Sequence, residues 1–380
     1  MTSRGMAVLV IPLVLALLPS ATQAARVSVH DFELKKRAPA HLKRLAARGR
    51  DMQAFRAAVK ANKERAPILL DISKVAVPKG WPAEWRGKLG EAHAVGSGTY
   101  GEVFVAPLKC SSVEVAVKRI QEDAETETTA QKILYEVNLM KNASGHPNVI
   151  QYFANAHRSD VHYIMMEAAG GGDLEQYIES SDNFGLFLGT LRGVKELHSR
   201  GLVHRDLKPA NVLVSSKCGQ GAPCTAKIGD FGLACSKDPD TVELPRCDLA
   251  DMGGTPLYTP PEVWSSHVID KKNDVWAMGL ILYEMKFGHY PSQLESAESM
   301  EEFQANVESF NILVDEDYNE LPESELKELI AGMLTSDVAE RWSSEKALEK
   351  AEAWGAGSFA EQASGQVSAL PACFSDEPAA

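Results

Sequence analysis

The feature that most constrains the fold is a change of hydrophobic period near the middle of the chain. Val103-Phe104-Val105 and Val113 to Ile120 are short β-rich runs flanked by Gly, Pro and Ser, a pattern that predicts a twisted antiparallel sheet. Ala130 to Lys141 interrupts them with Ile133, Leu134, Val137 and Met140 at helical spacing. Beyond Gly170 the period is helical: Asp173 to Glu179, Leu186 to Ser199, Asp274 to Lys286, Ser324 to Thr335 and Ser343 to Trp354 all read as amphipathic helices. The expectation is an α+β protein, with a small strand-rich lobe containing one helix ahead of a larger, mainly helical lobe. The junction falls at Glu167 to Gly172, where three successive glycines predict a flexible connection.

Charge is unevenly spread over the 380 residues. The net formal charge is −13, yet residues 26–66 hold 12 Lys/Arg against 4 Asp/Glu, so the body of the chain is strongly acidic. An acidic body repels phosphate backbones, which argues against nucleic acid as a partner. Residues 1–24 have the layout of an export signal, with Arg4, an apolar run Met6 to Leu18 and a small-residue end at Ala24. Thirteen apolar residues fall short of the roughly 20 a membrane span needs, so no transmembrane span is expected in a mature chain. The expected location is the secretory lumen or outside the cell; a two-part organelle leader, or a cytoplasmic protein, stays open. Residues 25–84 read as a basic, partly helical linker and 355–380 as a disordered tail. Six cysteines are too few for a disulfide scaffold, although Cys218 and Cys224 bracket a Gly/Pro loop that would bring them within bridging distance.

Four segments carry chemistry. Gly96-Ser-Gly-Thr-Tyr-Gly-Glu-Val103 lies between strand-like runs, where a glycine loop lets backbone N–H groups approach phosphate; a dinucleotide fold would begin a helix there instead. Lys118 ends the apolar strand Val115-Ala-Val-Lys118, and its ammonium needs an anion, for which Glu136 is a candidate. His204-Arg-Asp-Leu-Lys-Pro-Ala-Asn211 sets a carboxylate, an ammonium and an amide at fixed offsets, and Asp230-Phe231-Gly232 follows a strand-like stretch.

In this order and at these separations the segments resemble the eukaryotic protein kinase family, serine/threonine type, over residues 85–354. The resemblance implies a two-lobed kinase fold, with a small lobe at 85–167, a hinge at 168–172 and a large lobe at 173–354. It implies ATP and Mg²⁺ as cofactors, a protein substrate with a Ser or Thr acceptor, and an ATP site formed by Gly96, Ser97, Gly98, Thr99, Gly101, Val103, Ala116, Lys118, Glu136, Met166, Glu167, Ala169, Asp173 and Leu213. Asp206 is similar to the catalytic base, Lys208 to its charge-neutralising neighbour, and Asn211 and Asp230 to the metal ligands. Phe231, Gly232, Thr241, Thr255 and Glu262 fall in the implied activation segment, where Pro-Pro-Glu replaces the usual Ala-Pro-Glu or Ser-Pro-Glu. Glu262 is implied to pair with Arg341, and Asp274-Val-Trp-Ala-Met-Gly279 resembles the helix that supports the catalytic loop. Ser236 and Thr241 are candidate phosphorylation sites beside Arg205. Two other readings stay open: a pseudokinase-like binding or scaffold module, and a small-molecule phosphotransferase. Asn142-Ala-Ser144 is a glycosylation acceptor expected in a surface loop.

Overall fold

The computed structural model describes residues 81–98, 101–123, 130–180, 183–218, 224–238, 243–250, 253–322, 324–355 and 367–374. The leader, the basic segment up to residue 80, Thr99, Thr241 and the rest of the tail lie outside the described residues, as does the side chain of Ser97. Five strands, β1 (His93–Gly98), β2 (Gly101–Pro107), β3 (Glu114–Gln121), β4 (Tyr152–Arg158) and β5 (Val161–Glu167), form one antiparallel sheet in the order β1-β2-β3-β5-β4.

Strand alternation divides that sheet into two faces. Phe104, Ala106, Val115, Val117, Tyr163 and Met165 point outward into a core shared with Trp85, Leu89 and Leu108. Ile120 and Ile164 point the other way and pack with Ile133, Val137 and Met140 of α1 (Ala130–Ala143). The outer face is apolar and needs a cover, and part of the cover comes from the end of the chain. Phe374 is buried there, Leu370 packs beside it, and Lys88 Nζ donates to the Phe374 carbonyl at 2.9 Å. Residues 367–374 therefore depart from the expected disordered tail, because these two apolar side chains fit the exposed sheet face.

The large lobe is helical. Among the described residues it contains α2 (Asn183–Ser199), α3 (Pro261–Ser266), α4 (Lys271–Phe287), α5 (Ser292–Glu295), α6 (Met300–Glu308), α7 (Glu316–Glu320), α8 (Glu325–Met333) and α9 (Ser344–Gly355). Short strands β6 (Leu202–Val203), β7 (Val212–Val214), β8 (Ala226–Ile228) and β9 (Cys235–Ser236) pair as β6 with β9 and β7 with β8. Asp173 to Glu179, expected as a helix, makes only a 3₁₀ turn at Leu174–Tyr177. Helix α4 starts on a capping box at Asp270 and Asn273 and ends on Gly288 in the left-handed region.

The glycine junction is not a loose connection. Gly170 N–H donates to Ser215 O at 3.0 Å, Gly171 N–H to Val214 O at 2.9 Å, and Val214 N–H to Gly172 O at 2.8 Å. A Cβ on Gly171 would lie 2.6 Å from Ser216 O and 2.7 Å from Val214 O. Close backbone approach, rather than freedom, is what this glycine supplies. Far from the junction, Arg341 is fully buried and donates to both Glu262 carboxylate oxygens at 2.7 and 2.9 Å, which fastens α3 to the segment before α9.

Candidate active site between the lobes

The site grows from the sheet. Register pairs Val103 with Lys118, Val105 with Ala116 and Ala116 with Met166, so alternation places Val103, Ala116, Lys118 and Met166 on the same inward face. Lys118 Nζ meets Glu136 Oε1 of α1 at 2.6 Å and Asp230 Oδ1 at 3.4 Å. Burial alone would lower the Lys118 pKa, but the two carboxylates outweigh it and raise the pKa, so the ammonium is held charged. Burial would likewise raise Asp230, yet Lys118, His204 and the Gly232 N–H bring it below the usual carboxylate range.

Of the loop glycines, Gly101 has a φ of 124° and a Cβ there would collide with the Arg119 carbonyl, so the fold itself demands it. Gly96 differs: a Cβ at that position would find Val103 Cβ as its nearest neighbour, at 4.0 Å. Among the described residues nothing crowds position 96, so the backbone there is open to close approach.

At the far side of the cleft, Asp206 sits in a dense hydrogen-bond set. Lys208 Nζ donates to Asp206 Oδ2 at 2.9 Å and Asn211 Nδ2 to the same oxygen at 3.0 Å, while Thr255 Oγ1 donates to Oδ1 at 2.7 Å. Lys208 also donates to Thr255 Oγ1 at 2.7 Å, which ties the later segment to the loop. Because the Asn211 amide nitrogen serves Asp206, its Oδ1 is the acceptor left to face a cation. With Asp230 it makes an all-oxygen donor set, which suits a hard divalent ion such as Mg²⁺.

The loop is braced from below by Asp274 of α4. Its carboxylate accepts from His204 N–H at 2.8 Å, Arg205 N–H at 2.9 Å and His198 Nε2 at 2.9 Å. Full burial would raise the Asp274 pKa, but these donors and the His198 and His204 charges lower it. Arg205 and Asp230 have φ of 70° and 55°, left-handed values that cost non-glycine residues about 1–3 kcal/mol each and persist only where the surroundings over-determine them.

The hinge shows a partner set that no local sequence signal marks. Glu167 N–H already donates to Gln151 O at 2.9 Å, so that donor is not available to a base. The Glu167 carboxylate pairs with buried Lys227 of β8 at 2.9 Å and also accepts from Ser368 of the returning chain end. Ala169 follows it, partly buried, and Asp173 and Leu213 face one another in an isolated bridge.

The segment after Asp230 holds further departures. Phe231 is buried against His204, Gly232 donates to Asp230, and Ser236 is buried in β9, which shields its hydroxyl from modification. Cys235 is bonded to Cys247 with Cα atoms 5.0 Å apart, a crosslink not anticipated from spacing, and Cys218 is bonded to Cys224 at the same separation.

Residues 90–351 match the family model described as the protein kinase domain, well over half the chain. The chain belongs to the protein kinase family. It is similar to serine/threonine-protein kinase ATG1a of Arabidopsis thaliana, 33% identical over 203 residues, covering 52% of this chain and 31% of the relative. The MAP kinase-interacting serine/threonine-protein kinase mnk-1 of Caenorhabditis elegans is 31% identical over 294 residues, 69% of this chain and 40% of the relative. Human serine/threonine-protein kinase ULK1 is 33% identical over 221 residues, 55% of this chain and 20% of the relative. The chain thus spans less than half the length of these relatives.

Asp274 yields a pH prediction for this kinase domain. Its folded-state pKa is depressed below the unfolded value of about 3.9, so its contribution to stability is complete above that pH and is lost as pH falls through the folded-state pKa. Asp274→Asn should therefore cost about 1.5–3 kcal/mol near neutrality, with the gap to wild type shrinking steadily below about pH 4. Urea unfolding at a series of pH values measures it, and a gap that widens on acidification would contradict the assignment.

Proposed function

We propose that the chain is a serine/threonine kinase that transfers the γ-phosphate of ATP to Ser or Thr hydroxyls of protein substrates. One observation carries the reading: a desolvated, charged Lys118 bracketed by Glu136 and Asp230 stands across the cleft from an Asp206 carboxylate oriented by Lys208, Asn211 and Thr255. Phosphoryl transfer asks a protein for positioning and charge stabilisation more than covalent chemistry. In this reading Lys118 holds the α- and β-phosphates, the glycine loop covers them, and Glu167 and Ala169 line the adenine. Asn211 and Asp230 would hold Mg²⁺, which would offset charge on the phosphate oxygens. Asp206 orients the acceptor hydroxyl and takes its proton as oxygen attacks the γ-phosphorus and the bond to the β-phosphate oxygen breaks; Lys208 stabilises the charge spread over the transferring group.

A module kept only for binding has no need for every one of these groups, so the pseudokinase reading is not favoured. Lys208 and Thr255 support Ser/Thr over Tyr acceptors: both hydrogen-bond Asp206, and both are residues on which the resemblance to serine/threonine kinases rests. Incubation with labelled ATP, Mg²⁺ and a generic basic protein should give phosphoserine or phosphothreonine. Asp206→Asn and Lys118→Met should each reduce incorporation by about 10²–10³-fold or more. Phosphotyrosine as the product, or incorporation undiminished in Asp206→Asn, would overturn the proposal.

We further propose that this kinase works in an oxidising lumen or outside the cell. Its support is cysteine pairing: Cys218–Cys224, Cys235–Cys247 and a disulfide at Cys110 leave no free thiol among the described cysteines. No helix among the described residues is long and apolar enough to cross a membrane. Asn142 lies on the exposed last turn of α1 rather than in a loop, with its Nδ2 donating to Asn138 O at 2.9 Å. Protein from the native host should lose mobility retardation on glycosidase treatment, and Asn142→Gln should abolish that shift. An unshifted wild-type chain would count against luminal passage.

A further inference from the structure

The small lobe brings together Glu122, His157 and His162, a cluster of potential metal ligands, none of them among the residues assigned to the cleft. The strand order β3-β5-β4 puts His162 of β5 in the middle, and register places His157 of β4 directly opposite it. Ile120 of β3 is the other partner of His162, and Glu122 follows Ile120 by two, on the same face and one diagonal step away. Directly opposed side chains on a sheet are about 4.5–5.5 Å apart at Cβ and diagonal ones about 7–8 Å, within reach of a glutamate and two imidazoles. The strand end is fixed by the backbone, since Glu122 N–H donates to Asp160 O at 2.8 Å and Gln121 Nε2 to the same carbonyl at 3.1 Å.

The side chains converge. His162 Nε2 lies 2.7 Å and His157 Nε2 3.3 Å from the same Glu122 Oε1, and the two rings stack with centroids 4.2 Å apart. The three ligand atoms all lie within 4.8 Å of one another. Donors bound to one tetrahedral Zn²⁺ at about 2.0–2.1 Å sit roughly 3.3 Å from each other, so small rotations of these side chains suffice. A cation among the three atoms satisfies all of them at once.

Burial grades the site from inside to outside. The His162 side chain is 8% exposed, Glu122 30% and His157 50%, so the cluster has a fixed base and an open mouth through which an ion enters. Two imidazole nitrogens with one carboxylate favour a borderline transition ion over Mg²⁺ or Ca²⁺, which prefer oxygen throughout.

We propose that His157, His162 and Glu122 form a mononuclear site for a borderline divalent transition ion, best suited to Zn²⁺, with a fourth position open to water. The bound ion clips the end of β3 to the β4–β5 hairpin and stabilises the small lobe, independently of the nucleotide cleft.

Zn²⁺ titrated into the full chain against a chromogenic chelator, with excess Mg²⁺ to occupy oxygen-only sites, should show one tight equivalent and a rise in unfolding temperature. His157→Ala, at the exposed edge of the cluster, should weaken binding at least tenfold and remove the thermal shift, with ATP-dependent transfer unchanged. Glu122→Gln keeps the shape while removing the charge and should weaken binding as well. X-ray absorption on the Zn²⁺-loaded wild type needs no variant and should show two imidazole ligands. Absence of a tight equivalent, binding unaffected by both substitutions, or an all-oxygen shell would overturn the proposal.

Discussion

Everything in the cleft depends on the buried ammonium of Lys118. An ammonium removed from water is costly unless anions meet it, and here the anions come from different parts of the chain: Glu136 from the small-lobe helix and Asp230 from the large lobe. The pair therefore reports the position of α1 relative to the sheet and of the Asp230 turn relative to both. Moving any of the three leaves a buried charge short of a partner, so the same energy that holds the site together also specifies its geometry. Glu167 plays a comparable part at the hinge, where Lys227 of the large lobe meets the last residue of β5.

Below the cleft, Asp274 does for the loop what Glu136 does for Lys118. It gathers two backbone N–H groups and one imidazole, and the left-handed conformation of Arg205 sits between them. Strain at Arg205 and Asp230 thus falls at the residues that set the orientation of Asp206 and the Asp230 carboxylate. The segment beyond is held at both ends, by the Cys235–Cys247 bond near its start and by the Glu262–Arg341 pair at its finish. Closing a loop covalently limits the conformations open to it when the surrounding structure loosens.

Much of this was legible in the sequence because period and motif spacing are local signals. The β3 and α1 patterns place Lys118 on a strand and Glu136 on the following helix, and the Leu186 to Ser199 and Asp274 to Lys286 periods mark α2 and α4 to within a few residues. What stayed hidden was non-local. Gly170 to Gly172 read as freedom, whereas the Val214 and Ser216 carbonyls leave no room for a side chain at Gly171. Leu370 and Phe374 stand in a polar stretch, and only the apolar outer face of the sheet explains their burial. Cys235 and Cys247 have no spacing signature, and Lys227 reveals nothing of Glu167 until β8 and β5 are in place. The short helices α3, α5 and α7 carry too few turns for a period to show.

The most direct test separates nucleotide binding from transfer. Calorimetric titration of ATP with and without Mg²⁺ into wild type, Asp206→Asn and Asp230→Asn should find Mg²⁺-dependent affinity retained in Asp206→Asn, despite its loss of phosphate transfer, and lost in Asp230→Asn. Equal Mg²⁺-dependent affinity in wild type and Asp230→Asn would contradict the assignment of the cleft.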